Sequence, residues 1–203
     1  MKYRVITKID LIVNELDGII QIEFSVDYDI NLLNKIWEEY ILTEIYNNLF
    51  IGNEIDYERN VRGKNGWAIV HACKEPYHRQ AVGYSGRACA KTHPEYLLAQ
   101  RGNHLMLNLV DVDNPDWVSP IIVDKTINFV DANLSQGLKV LIHCNQGMSR
   151  SAGLGLLYLA HIGRFHGMDF ISAETQYITV YPPYQPAGGI RGYCMMNWNI
   201  YCK

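Results

Sequence analysis

The stretch Leu138–Ser151, LKVLIHCNQGMSRS, constrains what this chain can fold into more than any other. Its first part, with Leu138, Val140, Leu141 and Ile142, is an apolar run of strand length. It breaks at Asn145-Gln146-Gly147-Met148-Ser149, and from Ser151 the chain reads SAGLGLLYLAHIG, an apolar run of helical length. Cys144 therefore stands where a buried strand ends, and Arg150 stands where a helix begins. A loop curling between a strand end and a helix N-terminus turns successive backbone N–H groups into one bowl, and the helix dipole adds positive potential there. A cysteine on the floor of that bowl is favoured as its thiolate. The planar fork of Arg150 can grip two oxygens of a tetrahedral anion. Gly147 lets the loop turn without a Cβ clash. The guest that fits is a phosphate monoester. The N–H groups of Asn145, Gln146, Gly147, Met148, Ser149 and Arg150 would bind it, and Cys144 would attack phosphorus. A chance meeting of a buried cysteine with a surface arginine accounts for a bare C-x5-R, but not for the strand before it and the helix after it.

At these residues the chain resembles a known family. VLIHCNQGMSRS is similar to the phosphate-binding loop of the cysteine-based protein tyrosine phosphatases, above all the dual-specificity group, whose loop reads H-C-x-x-G-x-S-R-S. NNLFIGNEID is similar to that group's opening strand and turn, so the resemblance spans roughly residues 48–190. It implies an α/β fold with a small, mainly parallel central sheet flanked by helices. It implies a phosphomonoester hydrolase that works through a phosphocysteine intermediate and needs no metal or other cofactor. Ser151 matches the hydroxyl that helps the thiolate leave, while Ser149 and His143 would brace the loop. The family keeps a proton-donating aspartate about thirty residues before the cysteine, a role a carboxylic acid suits. Asp111 lies 33 positions before Cys144, and Asp113 lies 31 before it. The family's strand pattern fits Leu107-x-Leu109-x-Asp111, whereas counting back from the following helix favours Asp113. Asp111 is preferred, with Asp113 kept beside it.

The substrate is less sharply written. Asn145, Gln146 and Met148 put no lysine in the loop, whereas phosphoinositide-cleaving relatives carry basic residues there. That favours a phosphorylated protein or peptide, carrying phosphotyrosine and also phosphoserine or phosphothreonine. RNA 5′-triphosphate, and so a nucleic-acid partner, stays open. RNA triphosphatase relatives share the C-x5-R loop, and residues 57–104 carry eight Lys/Arg against three Asp/Glu. A phosphate-binding pseudophosphatase and a rhodanese-type sulfur transferase are the rival readings. The first would lack side chains that are present here, and the S-R-S ending with its upstream acid argues against the second.

The rest of the chain is read around this loop. Its 203 residues fit one domain with an appendage: a ββα extension over 1–47 and a catalytic domain over 48–203. Residues 3–13 and 19–27 read as a hairpin, followed by a helix that Asp29 caps and that lines up Leu33, Ile36, Trp37, Tyr40 and Ile41. This extension is a candidate partner surface. Trp67–Cys73 reads as a central strand and His104–Asp111 as another, with a long variable rim between them that includes Tyr77, His78, Arg79 and Tyr84. The histidines show no metal-ligand spacing and read as scattered. Ser119 and Pro120 open a helix, Asp169 caps another, and IRGYCMMNWNIYC forms the last. Five cysteines without a C-x-x-C pair fit free thiols in the cytoplasm. The N-terminus is not a signal peptide, and no apolar run reaches the roughly 18 residues of a membrane span, so no membrane insertion is expected. If Cys73 ends a strand beside the one ending at Cys144, peroxide could join the two as a disulfide.

Overall fold

The computed structural model describes residues 6–16, 19–28 and 42–202. The chain divides into two compact units, 1–41 and 42–203. In the first, β1 (Ile6–Leu16) and β2 (Ile19–Tyr28) pair antiparallel, with Leu16 opposite Ile19. This is the hairpin expected from the alternation of Ile20, Ile22, Phe24 and Val26. The helix expected from Asp29 to Ile41 lies outside the described residues.

The second unit is built on a six-stranded sheet. Its strands are β3 (Thr43–Tyr46), β4 (Leu49–Gly52), β5 (Trp67–His71), β6 (Leu98–Arg101), β7 (His104–Leu107) and β8 (Lys139–His143), in the order β3-β4-β8-β5-β7-β6. The inner pairs β4–β8, β8–β5 and β5–β7 are parallel, and the two edge pairs are antiparallel. The mixed α/β class with a mainly parallel sheet is as expected. Thr43–Tyr46 continues a run read as helix, yet it is a strand. Asn48 takes a left-handed φ of 61°, and its N–H donates to Glu44 Oε1 at 2.6 Å, so the chain folds back as a tight hairpin onto β4.

Alternation along the strands separates two faces. Val140 and Ile142 of β8, Ala68 and Val70 of β5, and Leu105 and Leu107 of β7 join one large core. The helices that complete it are α1 (Pro120–Ser135), α2 (Arg150–His161), α3 (Phe170–Val180), α4 (Gly188–Met196) and α5 (Trp198–Tyr201). Leu141 and Ile69 point the other way and pack with Tyr57 and Val61, from a helical turn at Tyr57–Val61. α2 is buried from Arg150 to Ala160, which explains its all-round apolar sequence. Asp169 caps α3 as expected, its carboxylate accepting Ser172 N–H at 2.9 Å. Ser119 sits at the N-cap of α1, but its hydroxyl makes no capping bond.

Two stretches differ from expectation. The strand expected to run to Asp111 stops at Leu107, because the chain then turns away: Asn108 N–H donates to Leu97 O, and Leu109 O accepts Lys74 N–H. The segment read as an unstructured rim contains helical turns at Lys74–His78 and Arg79–Val82 and the edge strand β6. His78 there is fully buried, its ring nitrogens held by Glu95 O at 2.9 Å and Tyr84 Oη at 3.2 Å.

Register places the chemistry. Gly52 of β4 and His71 of β5 both stand opposite His143 of β8. Three parallel strands thus end level, and Cys144 is the first residue past the middle one. Loops at such carboxyl ends are where α/β sheets hold their ligands.

Candidate active site

The loop Cys144–Ser149 and the first turn of α2 wrap around the cysteine sulfur. Cys144 is 1% exposed. Gly147 N–H donates to its Sγ at 3.2 Å, and Ser151 Oγ stands 3.3 Å from it. Ser151 Oγ is also 3.2 Å from Gly147 O and 3.3 Å from Gly52 O. Its single O–H can serve only one of the three at a time, so turning it toward sulfur is a small motion. Gly147 has φ of 80°, and a Cβ there would come within 3.1 Å of the Gly52 backbone. Conformation and space therefore both demand glycine. Tyr181 closes the loop from behind, its hydroxyl donating to Gly147 O at 3.1 Å.

Arg150 is 8% exposed and already aimed. Its Nη1 donates to Leu109 O at 3.2 Å and its Nη2 to Asn145 Oδ1 at 2.9 Å. Two of its five N–H groups are thus engaged in positioning it, which leaves three for an anion. Among the described residues its Nε has no hydrogen-bond acceptor, and it lies 3.7 Å from Asp111 Oδ2. Asn145 is held in turn by Nδ2 donating to Glu75 O at 3.1 Å. The backbone of Met148 is fixed by Gln185 N–H donating to Met148 O at 2.9 Å.

The two candidate acids behave differently. Asp111 is docked on the loop, where its Oδ1 accepts the Ser149 hydroxyl at 2.7 Å and Oδ2 faces Arg150. Ser149 Oγ accepts Ala187 N–H at 3.0 Å, so one hydroxyl links the acid loop, the phosphate loop and the approach to α4. Asp113 is exposed, and among the described residues no donor bonds its carboxylate.

Behind Cys144 lies a cluster that the scattered-histidine reading missed. His143 Nε2 meets His71 Nδ1 at 2.6 Å, and His71 Nε2 meets His104 Nδ1 at 3.0 Å. Tyr57 stacks on His143 at 4.8 Å and Tyr77 stacks on His71 at 4.2 Å. Burial, reinforced by the neighbouring histidines, pushes His71 down to about 2, and burial pushes His143 down to about 3. Both rings are therefore neutral spacers. The period-two register of β5, β7 and β8 was the signal available: it puts all three on the same sheet face. Among the described residues no group of three His, Cys, Asp or Glu is arranged to hold a metal ion.

Cys73 is buried two residues past the end of β5, the strand that neighbours β8, and burial pushes its thiol up to about 12. The basic rim is offset locally: Arg62, Arg79 and Arg101 pair with Glu58, Glu75 and Glu95 at 2.6, 2.6 and 2.5 Å. A second unforeseen cluster ties α3 to α4. Glu174, 8% exposed, accepts Tyr184 Oη–H at 3.0 Å and Arg191 Nε–H and Nη2–H at 2.8 and 2.6 Å.

All these residues lie within the 42–203 unit, and among the described residues no helix is long and apolar enough to cross a membrane. No protein-family model and no curated protein matches the chain. Solved structures do. The Cydia pomonella PTP-2 phosphatase is similar at 21% identity and a TM-score of 0.55, over 78% of this chain and 90% of that one. The human tyrosine phosphatase-like serine/threonine/tyrosine-interacting protein is similar at 22% identity and a TM-score of 0.53, over 80% and 98%. Human DUSP28 is similar at 17% identity and a TM-score of 0.51, over 78% and 93%. The chain thus has the fold of these phosphatase and phosphatase-like structures.

Proposed function

We propose that this protein hydrolyses phosphate monoesters on phosphorylated proteins through a phosphocysteine intermediate. The observation that carries the reading is the Cys144 sulfur, seated against Gly147 N–H and Ser151 Oγ with the Arg150 guanidinium fixed beside it. The reaction has two displacements. In the first, Cys144 Sγ attacks phosphorus, the S–P bond forms, and the P–O bond to the leaving group breaks. The loop N–H groups and Arg150 stabilise the charge spread over the equatorial oxygens. An aspartic acid gives its proton to the leaving oxygen. In the second, water attacks phosphorus, its proton passes to the same carboxylate, and the S–P bond breaks as Ser151 donates to the departing thiolate.

Between the two acids, the hydrogen bonds favour Asp113 as donor, whereas the strand pattern favours Asp111. A carboxylate whose oxygens are already taken up by a hydroxyl and an arginine is less free to reach a leaving oxygen. Asp111 is in that position. Asp113, with no such partner, is assigned as proton donor, and Asp111 as the brace of Ser149 and Arg150. The uncharged Asn145-Gln146 interior and the locally paired arginines favour a phosphoprotein over a polyanionic lipid or RNA substrate.

Hydrolysis of 4-nitrophenyl phosphate between about pH 5.5 and 7 tests the reading. Wild type is expected to release 4-nitrophenol, and Cys144→Ser to lose about 10⁴-fold or more. No release by wild type sinks the proposal and leaves a phosphate-binding protein. A panel of phosphopeptides, a phosphoinositide and RNA 5′-triphosphate then decides the substrate.

A further inference from the structure

The loop that carries Asp113 rests on the N-terminal end of α4. That helix has nine residues and opens Gly188-Gly189-Ile190-Arg191-Gly192. Glycine weakens a helix interior, so three of them in so short a helix need a reason. The contacts supply it. Gly189 N–H donates to Val112 O at 2.8 Å. A Cβ on Gly189 would lie 2.2 Å from that oxygen and 3.1 Å from Asn114 O. A Cβ on Gly188 would lie 3.1 Å from Asp113 O, and one on Gly192 would lie 3.3 Å from Pro115 Cβ. All three glycines thus face the run Val112–Pro115, on both sides of Asp113.

The same end of the chain also grips the phosphate loop. Ala187 N–H donates to Ser149 Oγ, and Ile190 packs where a Cβ on Gly153 of α2 would come within 2.4 Å of its Cγ1. The start of α4 therefore touches both loops.

We infer that the Gly188–Gly192 face of α4 is a positioning element that seats the acid loop and holds Asp113 ready to protonate the leaving oxygen over Cys144. This rests on the assignment of Asp113 as donor. The glycines touch neither substrate nor the reacting atoms; they act through the aspartate. The acid loop in this chain is accordingly set before substrate arrives.

Leaving-group dependence is the test, because proton donation matters most when the departing oxygen is basic. Gly189→Ala and Gly192→Ala are compared with wild type on phenyl phosphate, a poor leaving group, and 4-nitrophenyl phosphate, a good one. Each variant is also made on the Asp113→Asn background. Gly189→Ala is expected to slow phenyl phosphate by about tenfold or more and 4-nitrophenyl phosphate by under about threefold. It is also expected to flatten the alkaline limb of the phenyl phosphate pH profile. Gly192→Ala, with its milder contact, gives a smaller loss of the same kind and carries the test if Gly189→Ala does not fold. On the Asp113→Asn background neither change adds further loss. Equal loss on both substrates, or full additivity with Asp113→Asn, overturns the inference. Unchanged leaving-group dependence in Asp113→Asn overturns the donor assignment and the inference with it. Selective loss in Asp113→Asn without selective loss in the glycine variants overturns the inference alone.

Discussion

The phosphate loop and the acid loop, which the proposed reaction would use together, are built in different ways. The phosphate loop takes its turn, its donors and its sulfur contacts from its own segment, although distant residues hold it from behind. Its turn comes from Gly147, its donors from its own backbone, its aim from the helix that begins at Arg150, and its sulfur contacts from Gly147 and Ser151, three and seven residues on. The acid loop borrows its shape. Asp111 is held by Ser149, and Val112 is held by Gly189, 38 and 77 positions away along the chain. A self-built loop announces itself in sequence and fails for every substrate when damaged. A borrowed loop is hard to read and fails selectively.

The largest expected effect separates the two acids. Asp113→Asn is expected to slow phenyl phosphate by about 10²–10⁴-fold, the usual worth of general acid catalysis, and 4-nitrophenyl phosphate by much less. Asp111→Asn keeps the shape of the side chain but weakens one charge-assisted hydrogen bond, so it is expected to cost about tenfold on both substrates alike. Steady-state kinetics with the two esters checks both. The reverse pattern would return the donor role to Asp111.

Gly147→Ala probes the self-built loop. The left-handed φ and the 3.1 Å approach to the Gly52 backbone both resist a methyl group. The resulting shift takes the Gly147 N–H away from Cys144, so both substrates are expected to slow together by about 10²-fold, as for the loss of one oxyanion donor. A loss confined to phenyl phosphate would mean that the two loops are not independently built.

That contrast explains how much the sequence disclosed. The grouping of Cys144, Arg150 and Ser151 was legible because strand, loop and helix are contiguous, and hydrophobic periodicity marks where each begins. The parallel sheet was legible for the same reason in Trp67–His71 and Lys139–His143. That Asp111, and not Asp113, meets the Ser149 hydroxyl was not, since that contact joins residues 38 positions apart. Tyr181 and Glu174 were equally hidden, since an aromatic or an acid on an amphipathic helix reads as ordinary packing or solvated surface until its distant partner is known. The glycine pair at Gly188-Gly189 was a usable signal, because adjacent glycines at a helix start imply another backbone close by.

Glu174 tests the scaffold beneath the borrowed loop. Glu174→Ala leaves the Tyr184 hydroxyl and the Arg191 guanidinium without their shared acceptor, beneath the helix that carries the three glycines. Urea unfolding is expected to show a loss of about 1–3 kcal/mol, tempered because Arg191 remains partly in water. If the scaffold serves mainly the acid loop, residual activity on phenyl phosphate falls further than on 4-nitrophenyl phosphate. An equal fall would show that α4 supports both loops to the same degree.

The smallest expected effect lies under the phosphate loop, where even the self-built element leans on distant residues. His71 and His143 stay neutral in the fold down to about 2 and about 3, against an ordinary value of 6.5. Below 6.5 the unfolded chain therefore binds protons that the folded chain refuses. Their contribution is complete above 6.5 and is lost progressively as pH falls toward 3 and 2. The urea midpoint is expected to drop steadily from pH 7 to pH 4, and to drop less in His71→Phe, which removes one of the three buried rings, His71, His78 and His143. Carboxylates titrate mostly below this window, so the slope between pH 6.5 and 5 reports the histidines. A flat midpoint across that interval would mean that the rings take up protons without unfolding. The wall behind Cys144 would then be a charged one, and the phosphate loop would owe part of its anion affinity to residues on β5 and β7 rather than to its own backbone.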